Sequence, residues 1–378
     1  MSDRIYEIQE YIDRLVDDLG LSANHYFDFD DIKIHLSGVS SCCVLLASRR
    51  GLDTEIAAVS GLLHDIYRYK TGIHAFHAHN GAEMARVVLK YMKNQFSDNE
   101  KQIILSAIFH HGDKNDIHGD YEELLKDADT LSPFLFEGGA KHASSLHLRK
   151  KRLKRLKKME EELNLTFGFD YPDFEKQKKF KSYYGGSQDK RTNAADIAER
   201  LAAASITGNR QDRNYMNMIR HWPEDSAPDE LKNGWCAAFV YHCFYEAGII
   251  LPIRWLSESH RFAGVSQWFS WGNKLGYFIK DEPGVIPERG DIIIYKNSIP
   301  PENKPEDQRD IPTDHIGIIL SCDGKNFTVA EGNVNNENVS GILTKPLHKN
   351  TEGYIRIDNS FNYKDWKFDY MTGTERLK

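Results

Sequence analysis

Several things are scarce or missing in this chain, and each absence excludes a class of protein. Five cysteines in 378 residues (Cys42, Cys43, Cys236, Cys243 and Cys322) are too few, and odd in number, for a disulfide framework. A reducing compartment is the simplest reading. No apolar run approaches the roughly 18 residues that a membrane helix needs, so no membrane partner is expected. The start, MSDRIYEIQE, is charged and lacks the apolar stretch of a signal peptide. A cytoplasmic location is therefore expected, with export by other machinery still compatible. Basic charge is not in excess: 49 Lys and Arg stand against 56 Asp and Glu, a net charge of -7, which disfavours a protein that coats nucleic acid. No internal repeat is visible. What is present is length enough for two domains and, at 40% hydrophobic residues, material for two cores. Sixteen histidines are the one unusual count, and their placement carries the argument.

Residues 1–165 read as helical nearly throughout. Apolar residues recur at helical spacing over 4–16, 32–49, 54–67, 80–94 and 100–111, without strand-like alternation. Gly51 should close one helix and Asp53-Thr54 open the next. From Phe167 the chain loses periodicity and carries a Pro, a Gly pair and mixed charge, so 166–191 is expected to be a linker. Residues 192–378 follow as a second domain. Helices are expected over 194–205 and 235–247. The short apolar runs GDIIIYK, HIGIILS, FTVAEG, VSGILT and GYIRID are what an antiparallel sheet would give. The expected fold class is an all-α domain followed by an α+β domain.

Metal sites need N and O donors converging from different helices. The first half offers His35, the doublet His64-Asp65, His74, His77, His79, the pair His110-His111, Asp127 and Asp129. A lone histidine at a helix end is more often a satisfied surface or core residue. Six or more in one helical domain shift that balance. The order IHLSGVS (His35), LLHDIY (His64, Asp65) and KDADTLS (Asp129) resembles the HD superfamily of metal-dependent phosphohydrolases over roughly residues 20–165. Two-metal members add a His in an HxxxGA stretch and another in an AIxxH stretch. By register these are His77 and His111, with His79 and His110 close enough that either could substitute. The resemblance implies one or two divalent ions (Mn, Fe, Co, Ni, Mg or Zn) on His35, His64, Asp65 and Asp129, with His77 and His111 completing a second site. Asp65 is the candidate bridge, because a carboxylate can offer one oxygen to each ion. The implied substrate is a phosphoester, a nucleotide or a cyclic nucleotide.

A basic run follows, RKKRLKRLKK at 149–158, with eight basic residues in ten positions. It reads first as a solvated helix face with Leu153 and Leu156 packing inward, and second as a phosphate- or nucleic-acid-binding lip.

In the second half, NGWCAAFVYHCFYEAG places Cys236 in the first turn of an expected helix. A helix N-terminus favours the thiolate, whereas Cys243, two turns on, reads as core. A Cys nucleophile needs a base, and the base an orienting partner. His315 opens an expected strand in TDHIGIIL, where an edge position can face a helix N-terminus. AEGN offers Glu331 and Asn333 two apart, hence on one strand face. WCAAFV, PERGDIIIY, DHIGI and EGN, in that order, resemble the CHAP branch of the NlpC-type papain-fold amidases and peptidases over about 192–358. The resemblance implies Cys236 as nucleophile, His315 as base, and Glu331 and Asn333 as the polar residues that hold the imidazole. It also implies a peptide or peptidoglycan-like amide substrate and a bacterial setting. The stretch 297–312 before His315 is long for the family and is expected to form a lid or rim. Together the halves suggest a bifunctional hydrolase. The alternative is an HD half that senses a nucleotide and regulates the amidase, as in a toxin or defence effector.

Overall fold

The computed structural model describes residues 2–20, 29–114, 116–136, 150–166, 189–255, 261–304, 313–363, 368–369 and 374–375. The expected linker falls almost wholly outside the described residues, as does 305–312 of the expected lid. The chain divides into two compact units, residues 1–184 with 365–378, and residues 185–364.

The first unit is helical: α1 (Asp3–Gly20), α2 (Phe29–Arg50), α3 (Thr54–Leu63), α4 (Ile66–Thr71), α5 (His77–Tyr91), α6 (Asp98–His110), α7 (Asp120–Phe136) and α8 (Lys150–Leu163). Asp53 caps α3 by accepting from the N–H groups of Glu55 and Ile56, and Gly51 ends α2 at φ 69°, as the sequence predicts. The α3 helix is apolar nearly all round and buried from Ile56 to Leu63, so it forms the centre of the bundle. It packs against α2, α6 and α7. Gly61 makes the α2 contact possible, since a Cβ there would lie 2.7 Å from the Ser40 Cα. The periodic stretch 54–67 contains a helix end at GLLHD: α3 stops at Leu63, and Asp65 leaves helical geometry at φ -113°, ψ 8° before α4 begins. The basic run lies on α8, where Leu153 and Leu156 are buried, as a solvated helix face with those two residues inward requires. Arg155 docks on Asp127 and Glu123 at 2.7 and 2.5 Å.

The second unit holds α9 (Lys190–Ala203), α10 (Arg213–Ile219), α11 (Ala227–Glu230), α12 (Cys236–Glu246) and α13 (Val265–Lys274). Its sheet comprises β1 (Phe278–Lys280), β2 (Ile292–Lys296), β3 (Thr313–Cys322), β4 (Asn326–Glu331), β5 (Gly341–Pro346) and β6 (Thr351–Ile355). The order is β1-β6-β2-β3-β4-β5, with every pairing antiparallel. The α9 and α12 helices pack on β3 and β4 and on each other. Ile293, Tyr295, Ile319, Phe327, Val329 and Tyr354 form one buried sheet core. The PERGD stretch serves this architecture. Asp291 is fully buried between Arg191 of α9 (3.1 Å) and Arg356 (2.7 Å), and Arg289 reaches Asp196 and Glu199 of α9. Two details differ from the sequence reading. The β3 strand is interior to the sheet, so His315 sits near a strand end and not on an edge strand. The β4 strand stops at Glu331, and Asn333 adopts φ 52°, ψ 50°, so strand alternation does not relate the two. A two-stranded ladder, Phe368–Asp369 with Thr374–Glu375, belongs to the tail.

Candidate metal centre and thiol site

The break between α3 and α4 builds the first site. Because Asp65 makes no capping hydrogen bond, its carboxylate is left for the interior of the bundle. Around it come His64 from the same junction, His35 from α2, His77 from the first turn of α5, His111 from the end of α6 and Asp129 from α7. Asp65 Oδ1 lies 3.5 Å from His77 Nε2 and 3.4 Å from His111 Nε2. Its Oδ2 lies 3.7 Å from His64 Nε2 and 3.9 Å from His35 Nε2. Asp129 Oδ1 is 3.9 Å from His64 Nε2 and 4.0 Å from His35 Nε2. These separations are at or beyond the limit of a hydrogen bond, and suit atoms that share a third partner. Donor atoms of His35, His64 and Asp129, and of His64, Asp65 and His111, lie within 4.8 Å of one another in each group.

Protonation is set by local contacts. His64 Nδ1 bonds the Gly61 carbonyl at 2.8 Å, His77 Nδ1 that of His74 at 2.9 Å, and His111 Nδ1 that of Ile108 at 2.6 Å. A ring that donates from Nδ1 keeps its lone pair on Nε2, and all three Nε2 atoms converge on the centre. Burial drives His64 down to about 3 and His77 down to about 4, although Asp65 pulls both the other way. Burial also opposes ionisation of Asp65, yet His64, His77 and His111 hold it well below the usual carboxylate range. Neutral imidazoles around an ionised carboxylate are the donor forms a divalent cation takes. Asp65 Oδ1 is buried without a hydrogen-bond partner, an arrangement that a cation would satisfy.

The other candidates go elsewhere. Asp127 is held by Arg50 (2.8 Å) and Arg155 (2.7 Å). His79 packs edge-on against Phe109 and Phe76, and His110 bonds the Ser106 carbonyl at 2.9 Å beside His118. His74 stacks on His77. Sequence reasoning did not single out Lys114, whose Nζ lies 2.8 Å from Asp129 Oδ2, or Arg68, 3.3 Å from Asp65 Oδ2. Both lie close in sequence to a candidate ligand, but a single basic residue has no spacing that would mark it.

In the second unit Cys236 is the first residue of α12 and is buried. His315 Nε2 bonds Glu331 Oε2 at 3.1 Å, both side chains being closed to solvent. His315 Nδ1 has no nitrogen or oxygen partner, and Cys236 is the neighbour on α12 that acts on the ring. Burial disfavours the imidazolium, but Glu331 and Cys236 outweigh it and raise His315 to about 10. Burial likewise opposes ionisation of Glu331, while His315 and Lys345 lower it to about 2. Gly317, two residues beyond His315, leaves room for Glu331: a Cβ there would lie 2.9 Å from the Glu331 Cγ. Asn333 does not join the imidazole among the described contacts. Its amide donates to Asn336 and accepts from the Asn338 N–H, which orders its own loop. Asp314 accepts from the Ser298 and Ile299 N–H groups and pairs with Lys304 at 2.8 Å, which anchors the described part of the long 297–312 stretch.

A helical bundle with a His/Asp centre and a papain-like sheet facing a helix-borne cysteine are both hydrolytic architectures. Comparison with family models places an HD domain at residues 32–133 and a CHAP domain at residues 228–333, so the chain carries these two domains in that order. They mark it as a hydrolase in two parts. No significant match is found among curated proteins or solved structures. Among the described residues no helix is long and apolar enough to cross a membrane.

Proposed function

We propose that the chain is a bifunctional hydrolase, with a metal-dependent phosphohydrolase site within residues 1–165 and a cysteine amidase or peptidase site within 192–378, joined by 166–191. The observation that carries the metal half is the unpartnered Asp65 Oδ1 between His77 and His111, with Oδ2 toward His35 and His64. His35, His64, Asp65 and Asp129 would hold one divalent ion, and Asp65, His77 and His111 a second. A bound ion supplies Lewis acidity toward a phosphoryl oxygen and an activated water at neutral pH. The chain's part is to keep His64 and His77 neutral through burial, to fix the ring tautomers through their Nδ1–H bonds, and to hold Asp129 with Lys114. The substrate class is a phosphoester or nucleotide. Elemental analysis of protein purified without chelator is the test. Wild type should carry metal, the His64→Ala/Asp65→Ala variant should carry almost none, and His111→Ala should lose about half. Equal, negligible metal in all three would end this reading.

In the thiol half, Cys236 passes its thiol proton to His315, its Sγ attacks an amide carbonyl, and a thioester forms as the C–N bond breaks. His315 gives its proton to the leaving amine, then takes one from the water that hydrolyses the thioester. N–H groups in the first turn of α12, which have no partner within the helix, can donate to the developing oxyanion. The buried Glu331–His315 bond supports this assignment, since it holds the ring with Nδ1 left for Cys236. The substrate class is a peptide-type amide, either of peptidoglycan or of a soluble conjugate.

A further inference from the structure

We infer that Lys345 is a positioning residue of the thiol site, whose ammonium fixes Glu331 so that Glu331 can hold His315. This rests on the reading of Cys236 and His315 as the reacting pair. Glu331 is fully buried and its two oxygens are divided: Oε2 meets His315 Nε2 at 3.1 Å, and Oε1 meets Lys345 Nζ at 2.7 Å. The same Nζ lies 4.2 Å from the centre of the Tyr295 ring, and Tyr295 stacks on His315 at 5.8 Å with 26° between the planes. Lys345 therefore touches both residues that hold the imidazole without touching the imidazole itself.

The circuit is drawn from four consecutive strands, with Tyr295 on β2, His315 on β3, Glu331 on β4 and Lys345 on β5. The groups facing Glu331 are thus His315, Lys345 and Tyr295 from the sheet, with Cys236 beyond His315 on α12. A buried carboxylate with one oxygen unpaired is costly and free to turn. Lys345 prevents both, because it occupies the oxygen that His315 does not use and supplies the countercharge that keeps Glu331 ionised. The Lys345 side chain is only 24% exposed, so this position is held within the fold.

The test compares full-length wild type with Lys345→Met, which keeps the aliphatic stem, and with Lys345→Arg, which keeps the charge. Two readouts are followed: the pH dependence of Cys236 alkylation by iodoacetamide, and the titration of the Glu331 carboxyl carbon by NMR from pH 1.5 upward. In Lys345→Met the acid limb of alkylation and the carboxyl midpoint should both rise by about one pH unit or more, since a nearby cation has gone. Lys345→Arg should follow wild type in both. If Lys345→Met matches wild type, or if Lys345→Arg is displaced as far as Lys345→Met, the charge of Lys345 does not position Glu331 and the inference falls. A wild-type Cys236 that labels no faster than Cys322 would instead overturn the parent reading. The carboxyl titration would then still decide whether Lys345 governs Glu331.

Discussion

Five cysteines share this chain, and their surroundings separate them. Burial pushes the thiols of Cys43 and Cys243 up, which makes them inert, whereas Cys236 opens a helix beside a charged imidazole. Iodoacetamide between pH 5 and 8 should therefore modify Cys236 first. His315→Ala should slow that reaction by about a hundredfold, at the low end for a lost acid–base partner. Equal slow labelling of all five would leave Cys236 a structural role only. The His315–Glu331 pair also couples stability to pH. His315 is raised from 6.5 to about 10, so its contribution is full below 6.5 and is lost as pH rises through 10. Glu331 is lowered from 4.5 to about 2, so its contribution is full above 4.5 and is lost as pH falls through 2. Five of the six tryptophans (Trp222, Trp235, Trp255, Trp268 and Trp271) lie within 185–364, so their fluorescence reports this unit's unfolding. Its urea midpoint should be flat between about pH 4.5 and 6.5 and fall on either side. Glu331→Gln should flatten the alkaline fall, and an unchanged alkaline fall in that variant would show that another group causes it. At this scale the sequence showed the residues that carry chemistry by type and spacing, such as His64-Asp65 and Cys236. It did not show Lys345, Lys114 or Asp314, because a lone charged residue acquires its role only when another strand or helix approaches it.

The elements explain which spacings could be read and which could not. Apolar periodicity located α2, α3 and most of the sheet, since both depend on which face is buried. Periodicity alone does not mark the break at His64-Asp65, because α3 is buried all round and its pattern runs smoothly into Ile66 and Tyr67. It also gave no sign that β3 lies inside the sheet, since strand order depends on pairing between distant segments. Gly61→Ala would set a Cβ 2.7 Å from the Ser40 Cα and 2.9 Å from its N, backbone atoms that cannot turn aside. That variant should lose about 1–3 kcal/mol of stability in the first unit, as overpacked cores do. Because Gly61 supplies the carbonyl that holds His64 Nδ1, metal content should fall with it. Thermal unfolding followed by helical circular dichroism, with metal analysis of the same samples, checks both. A Gly61→Ala protein with wild-type stability would mean that the helices can separate without strain.

Each of the two units has its own core and its own site, and this makes the chain testable as a whole. Stripping divalent ions with a chelator should leave the alkylation rate of Cys236 within about twofold, the expectation if the two sites act independently. A larger change would favour the regulatory reading, in which the helical half gates the amidase. The domain order was legible because each half carries several motifs in sequence, whereas any exchange between the sites leaves no mark in residue order. The histidines of the first unit carry one more consequence. His64, His77 and His111 each secure Nδ1–H on a carbonyl three residues back, within their own turn. The ordering entropy of these side chains is thus spent as this unit folds. On the proposed metal reading, an ion would leave and another enter without the donors rearranging, so metal identity in the cell should follow supply and exchange rate more than folding history.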